Sequence, residues 1–265
     1  MNSLKIYCVT NKRLIQLEKS ALSLVGVGNE KFPDNYIIPN KFDNIYFKEK
    51  NYSELTFHYW YWKNLMKSEK AEWIGFCQKR RFWIKSQSSK IDIVKSNLKE
   101  HLLVEPEEIW KNYESIICNS INVSGVKKIK MLKRGLKNIL KNPSIFFDKE
   151  KETIKLHFDM HHGYGNLDKA INLLDDDDRI EFKNFVNQNT KFNPHIMFIT
   201  RPEIINKWFS KLFPWLEKCE KIFGFENLKG YETTRMYAYL AERYQSFWFK
   251  KYTVYKENPW VFIDQ

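Results

Sequence analysis

Two short apolar segments each run straight into a polar cluster, and this constrains the fold more than any other feature of the chain. Lys5–Thr10 reads as a β-strand ending on Asn11-Lys12-Arg13, and Glu72–Phe76 as another leading into Gln78-Lys79-Arg80-Arg81. Open α/β sheets bind ligands beyond the carboxyl ends of their strands, so these polar ends are the first candidates for a site. Val25–Val27, Tyr36–Ile38, Ser115–Cys118 and His195–Thr200 are further strand candidates, with turns marked by Gly26, Gly28, Pro33 and Asp34. The glycines form no dinucleotide fingerprint. Helical patterns alternate with the strands. Ser53 is placed to cap a helix running to about Lys67 that carries Phe57, Tyr59, Trp60, Tyr61 and Trp62. Asn166–Leu174, Pro202–Phe213, Leu216–Phe223 and Thr233–Lys250 make the C-terminal part more helical. The alternation predicts an α/β fold, and 265 residues at 43% hydrophobic content suffice for one sizeable core. There is no internal repeat and no low-complexity linker.

Residues 126–141 stand apart. Ile129, Leu132, Leu136, Ile139 and Leu140 recur at helical spacing, and Lys127, Lys130, Lys133, Arg134, Lys137 and Lys141 fall largely on the other face. This pattern predicts a basic amphipathic helix, either a solvated surface element or a dock for anionic lipid. The net charge of +12 favours anionic partners in general: nucleic acid, acidic lipid or a phosphorylated ligand. The four cysteines, Cys8, Cys77, Cys118 and Cys219, form no CxxC pair or zinc pattern, which predicts buried free thiols in a reducing cytoplasm. The N-terminal stretch lacks a signal-peptide core. No apolar run has the length of a membrane span, so any membrane contact is expected to be peripheral, on the inner face of the cytoplasmic membrane.

Three segments, in order, carry a resemblance: NYSELTFHYWYWKN at Asn51–Asn64, WIGFCQKRRFW at Trp73–Trp83, and MFI…LFPWLEKCEK between Met197 and Lys221. Together they resemble the family catalogued as domain of unknown function 4422, whose members are linked to capsular and exopolysaccharide biosynthesis and regarded as glycosyltransferases. The resemblance extends from Lys5 to about Trp248 and includes a late Arg-x6-Glu pattern at Arg235 and Glu242. It implies a GT-A-like nucleotide-sugar transferase fold, with a central mixed sheet flanked by helices and a helical C-terminal portion, in a single domain over residues 1–265. It also implies a nucleotide-sugar donor and a glycan or lipid-linked glycan acceptor, with no nucleic acid expected. The chain departs from the family pattern in three places. Gln78-Lys79 stands where the family has His-Tyr, Ile196 stands where it has Asn, and the region 119–150 reads as an insertion.

The residues themselves narrow the chemistry. Many nucleotide-sugar enzymes place an Asp-x-Asp motif and a divalent metal at a central strand end, where this chain carries Arg80 and Arg81. Guanidinium forks match phosphate oxygens, so the pair is a candidate metal substitute, or else a structural pair bridging to Glu54 or another acid. A divalent Mg or Mn ion is compatible with the sequence but not required by it. The donor is expected across Thr10, Asn11, Lys12, Gln78, Arg80 and Arg81. Glu54, Asp159, His162 and Glu242 are the acid–base candidates. The resemblance adds His161, Tyr164 and Arg235 as acceptor contacts, and Gly163 and Gly165 are expected to hold the histidine pair in a loop. The acidic run Asp175–Asp178 is expected to be a solvated turn, since consecutive carboxylates point in different directions. Two rival readings remain open. One is a basic nucleic-acid binder built on charge and interleaved aromatics; the other is a degenerate transferase acting as a scaffold.

Overall fold

The computed structural model describes residues 3–264. Its strands are β1 (Leu4–Thr10), β2 (Ser23–Gly26), β3 (Trp73–Gln78), β4 (Arg81–Trp83), β5 (Ser115–Cys118), β6 (Ile121–Asn122), β7 (Lys191–Phe192), β8 (Phe198–Thr200), β9 (Tyr255–Asn258) and β10 (Trp260–Phe262). Its α-helices are α1 (Glu49–Tyr52), α2 (Leu55–Trp60), α3 (Leu98–His101), α4 (Lys128–Lys141), α5 (Ile154–His162), α6 (Asn166–Ile171), α7 (Asp176–Gln188), α8 (Pro202–Phe223), α9 (Tyr231–Thr234) and α10 (Met236–Tyr252). The chain divides into two compact units: residues 1–119, 195–211 and 249–265, and residues 120–194 and 212–248.

The first unit is built on an eight-stranded mixed sheet. β2, β1 and β3 run parallel, while β8 pairs antiparallel with β3 and β5. β5 and β9 are parallel, and the β3–β4 hairpin continues antiparallel into β10. β1 and β3 are buried on both faces, which accounts for their unbroken apolar runs. Gly75 lies where β1, β3 and β8 meet: a Cβ there would sit 2.9 Å from Ile6 Cγ1 and 3.0 Å from Ile199 Cγ1. The aromatic string 57–62 divides its duties. Phe57, His58 and Tyr61 are buried, against Tyr7, Phe76, Phe198 and Phe209. Tyr59, Trp60 and Trp62 are half-buried and hydrogen-bond Asp43, the Lys41 carbonyl and Asn206. Cys8, Cys77 and Cys118 lie on β1, β3 and β5, and all four cysteines are buried free thiols, as their contexts predicted.

The second unit is mainly helical, with the short β6–β7 ribbon. Here α4 is the helix that the 126–141 spacing predicts, and of the apolar residues in that pattern only Ile139 turns inward. The helix packs through Met131, Gly135 and half-buried Ile139 onto Leu156 and Met160 of α5, and the stripe Ile129, Leu132, Leu136, Leu140 is left exposed.

Other expectations are corrected in detail. Ser53 does not cap a helix through its side chain; it takes φ 52° between α1 and α2, and α2 is continued by a π-turn over Tyr61–Leu65. Tyr36–Ile38 forms only a bridge, Ile37 to Val25. The two helices expected either side of Pro214 are one, α8. His161 and His162 lie on the last turn of α5 rather than in a loop, which starts at Gly163 (φ 98°). The acidic run is the N-terminus of α7, where negative charge is favoured by the helix dipole; Asp178 is buried and accepts a hydrogen bond from the Tyr244 hydroxyl. Among the described residues, no helix is long and apolar enough to cross a membrane.

Candidate functional site

Because β2, β1 and β3 are parallel, their carboxyl ends share one edge of the first unit. Backbone bonds tie them there: Val27 N donates to Thr10 O and Lys79 N to Val9 O, both at 2.9 Å. Thr10 Oγ1 accepts from Lys12 N at 3.1 Å, closing a turn that leaves Lys12 exposed. Lys79 donates its ammonium to Asn11 Oδ1, and Gln78 donates its amide to Glu54. The kink at Ser53 makes the second pair: α1 ends with Ser53 N on Glu49 O, and the chain restarts with Glu54 at the N-cap of α2. Glu49 lies on the same rim, its Oε2 3.6 Å from where a Cβ on Gly28 would stand. Cation, amide and carboxylate thus alternate along the strand ends.

Arg80 and Arg81 extend this edge through the β3–β4 hairpin. Arg80 takes φ 71° at the turn, and its Nη1 lies 3.5 Å from the exposed carboxylate of Asp264. Its Nε is buried without a hydrogen-bond partner, and such orphans are uncommon in folded proteins. Arg81 Nε donates to His195 Nε2 at 3.2 Å, and both guanidinium carbons lie over Phe262, at 5.5 and 5.6 Å. Asp264 is therefore the acid that Arg80 meets, while Glu54 is engaged by Gln78. The non-glycine residues with left-handed backbone are Phe42, Ser53, Arg80 and His195 among those described. Three of the four flank this edge, and such strain concentrates at functional sites.

The second unit holds a separate polar cluster. Asp159, with its side chain fully buried, accepts from Asn138 and Lys155 at 2.7 Å and from Gly165 N at 3.0 Å, which pins the turn after α5. His162 Nδ1 lies 2.6 Å from the Glu232 carbonyl, so it carries the proton there, and its ring stacks on Tyr239 at 3.9 Å. His161 Nδ1 lies 2.9 Å from Glu232 and 3.2 Å from Arg134, which is itself paired to Glu232. Buried Arg243 pairs with Glu242, donates to His157 Nδ1 at 3.2 Å and packs 4.4 Å over Phe192. Burial, then the Arg243 charge, pushes the His157 and His162 pKa values far below 6.5, and both stay neutral at physiological pH. Arg235 lies over Tyr231, and Tyr164 stands between Lys137 and Lys155 beside an open groove of about 730 Å³ that Asn138, Lys141 and Asn187 also line.

The structure therefore groups Thr10, Asn11, Lys12, Glu54, Gln78, Arg80 and Arg81 in the first unit, and Asp159, His161, His162, Tyr164, Arg235 and Glu242 in the second. Sequence reasoning missed Lys79, Glu49 and His195 on the first and Arg134 and Glu232 in the second. Lys79 had a signal, since it lies inside the QKRR string; Glu232, 71 residues from His161, had none. No group of three or more His, Cys, Asp or Glu among the described residues is gathered to hold a metal ion.

Residues 5–253 match the family described as "Domain of unknown function (DUF4422)". The chain belongs to that family. No curated protein is significantly similar to it. Among solved structures, the apo form of the bifunctional glycosyltransferase WbbM is similar, at 21% identity and a TM-score of 0.73, over 100% of this chain and 46% of that one. The DUF4422 chain thus spans about half the length of that structure. The likeness shows the fold: mixed α/β, GT-A-like, with a central mixed sheet flanked by helices.

Proposed function

We propose that this DUF4422 chain is a glycosyltransferase that moves a sugar from a nucleotide-diphosphate sugar to a growing bacterial capsular or surface polysaccharide carried on lipid. The observation that carries the reading is the shared edge of β2, β1 and β3, with Lys12, Lys79, Arg80 and Arg81 beside Asn11, Gln78 and Glu54. Departure of a nucleoside diphosphate builds negative charge on its bridging oxygen, and cations already fixed at that point lower the barrier. The guanidinium ends of Arg80 and Arg81 are donors suited to phosphate oxygens. Asn11 and Gln78 supply amides for ribose or sugar hydroxyls.

Of the acid–base candidates, Glu54 is best supported, because its carboxylate faces the same edge. It would take the proton of the attacking acceptor hydroxyl as the glycosidic bond to the diphosphate breaks. His161, Tyr164 and Arg235 are proposed acceptor contacts, with Asp159 positioning the turn that carries Tyr164. His162 spends its Nδ1–H on a backbone carbonyl and Glu242 neutralises Arg243, which suits both to holding their unit together.

The test combines a thermal-shift screen of nucleoside diphosphates and their sugars with turnover of Arg80→Lys and Arg81→Lys. At a hundredfold excess over Kd a bound donor adds about 2.7 kcal/mol of stability. The lysine variants keep charge but lose the fork, and a lost transition-state donor lowers turnover roughly a hundredfold. Absence of any nucleotide binding at millimolar levels, binding without turnover, or near-normal turnover of both variants would overturn the reading. Complete loss of wild-type activity on chelation would overturn its metal-free form.

A further inference from the structure

The helix α4 carries three stripes where an ordinary surface helix carries two. At about 100° per residue, Met131, Gly135, Asn138 and Ile139 share the face turned to the rest of the unit, and all four are buried or half-buried. Next round the helix come Leu132, Leu136, Ile129 and Leu140, which are 46%, 50%, 70% and 73% exposed. Beyond them lie Lys133, Lys137, Lys130, Lys141 and Arg134. Gly135 lets the inward face approach α5 closely: a Cβ there would lie only 3.3 Å from Met160. Ile129, Leu132, Leu136 and Leu140 therefore lie outside the packing face that Met131, Gly135 and Ile139 make. They form a second, outward stripe that the fold leaves in water.

Seven bases and no acid occur between Lys127 and Lys141. Of these, only Arg134 has a carboxylate partner among the described residues. Lys128 is held over Phe146 and Phe147 at the start of the helix, and Phe147 is 80% exposed. An apolar ridge flanked by unneutralised lysines on one exposed surface fits one occupant chemically. A second copy of the helix would set like charges against each other. A nucleic acid would match the lysines but leave the ridge in water. An anionic bilayer surface satisfies both stripes: acyl chains receive the ridge while phosphate headgroups meet the lysines beside it.

We propose that α4 is an interfacial anchor that lies in the plane of an anionic phospholipid surface, with Ile129, Leu132, Leu136 and Leu140 inserted among the acyl chains. The inference is independent of the transferase reading, and its assay needs no turnover. Flotation of the whole chain with vesicles of phosphatidylglycerol and phosphatidylcholine, against phosphatidylcholine alone, reads binding. The wild type should bind the anionic vesicles about tenfold or more tightly than the neutral ones, with binding that falls as salt rises.

The quadruple variant Ile129→Ser, Leu132→Ser, Leu136→Ser, Leu140→Ser should lose about tenfold or more with only a small change in melting temperature, because these side chains lie outside the helix's buried face. Because the native cysteines are all buried, Leu136→Cys can be labelled selectively with an environment-sensitive dye. Its emission should shift to the blue on anionic vesicles, whereas the same dye at Lys130→Cys should shift less. Absence of vesicle binding, indifference to lipid charge, full binding by the serine variant, or a concentration-dependent dimer that the serine variant abolishes while vesicles fail to bind would each overturn the proposal.

Discussion

Three histidines are buried where they must stay neutral, and acid should therefore destabilise this protein before its carboxylates titrate. His58 lies among Phe76, Phe198 and Phe209 with Nδ1 unpartnered, and burial lowers its pKa to about 3. His157 and His162 are lower still, through burial and the neighbouring Arg243 charge. In the unfolded chain all three titrate near 6.5. Between the folded and unfolded pKa values the unfolded chain binds the extra proton, so stability is complete above about pH 6.5 and falls as pH drops below it. From pH 6.5 to 5.5 each such histidine costs about 1 kcal/mol, and the three together about 3 kcal/mol. That is a large share of the roughly 5–15 kcal/mol of an ordinary fold, and over this interval unfolded carboxylates bind almost no protons. Urea unfolding at pH 7.5, 6.5 and 5.5, followed by tryptophan fluorescence and circular dichroism, measures the slope. His58→Leu and His162→Phe should each remove about 1 kcal/mol of the fall, the first from the sheet unit and the second from the helical one. Stability that stays flat from pH 7.5 to 5.5, or variants whose slopes equal that of the wild type, would refute the reasoning.

Two further outcomes follow from packing alone. Gly75→Ala drives a methyl to within about 3 Å of two stiff isoleucines and should cost roughly 1–3 kcal/mol in urea titrations; an unchanged midpoint would mean the strands can part cheaply. Tyr244→Phe removes the hydroxyl bonded to buried Asp178 and should cost about 1.5–3 kcal/mol, so a loss below about 0.5 kcal/mol would show that carboxylate to be held by its other contacts.

What could be read from the sequence depended on whether one local pattern had one physical outcome. β1, β3 and β5 were legible because a strand buried on both faces must be apolar throughout, and the polar residues after β1 and β3 then had to lie at strand ends. The family and the GT-A-like fold were legible because long aromatic strings have few other uses: half of Phe57–Trp62 fills the core under the edge that Glu54 faces. Pro214 misled because proline breaks helices on average, yet Trp208, Leu212, Trp215 and Leu216 give α8 a buried stripe that runs through it. α4 was legible as a basic amphipathic helix, but its packing face was not. Periodicity finds the largest apolar stripe, whereas close approach favours a glycine beside a methionine, which leaves little apolar signal. The site was half legible on the same principle. Its strand-end residues follow from topology, but the pairings that orient them, Gln78 with Glu54 and Arg81 with His195, join residues 24 and 114 positions apart, and no local spacing encodes them. The outward stripe of α4 shows the converse: where a pattern is stronger than packing requires, the excess points to something outside the fold.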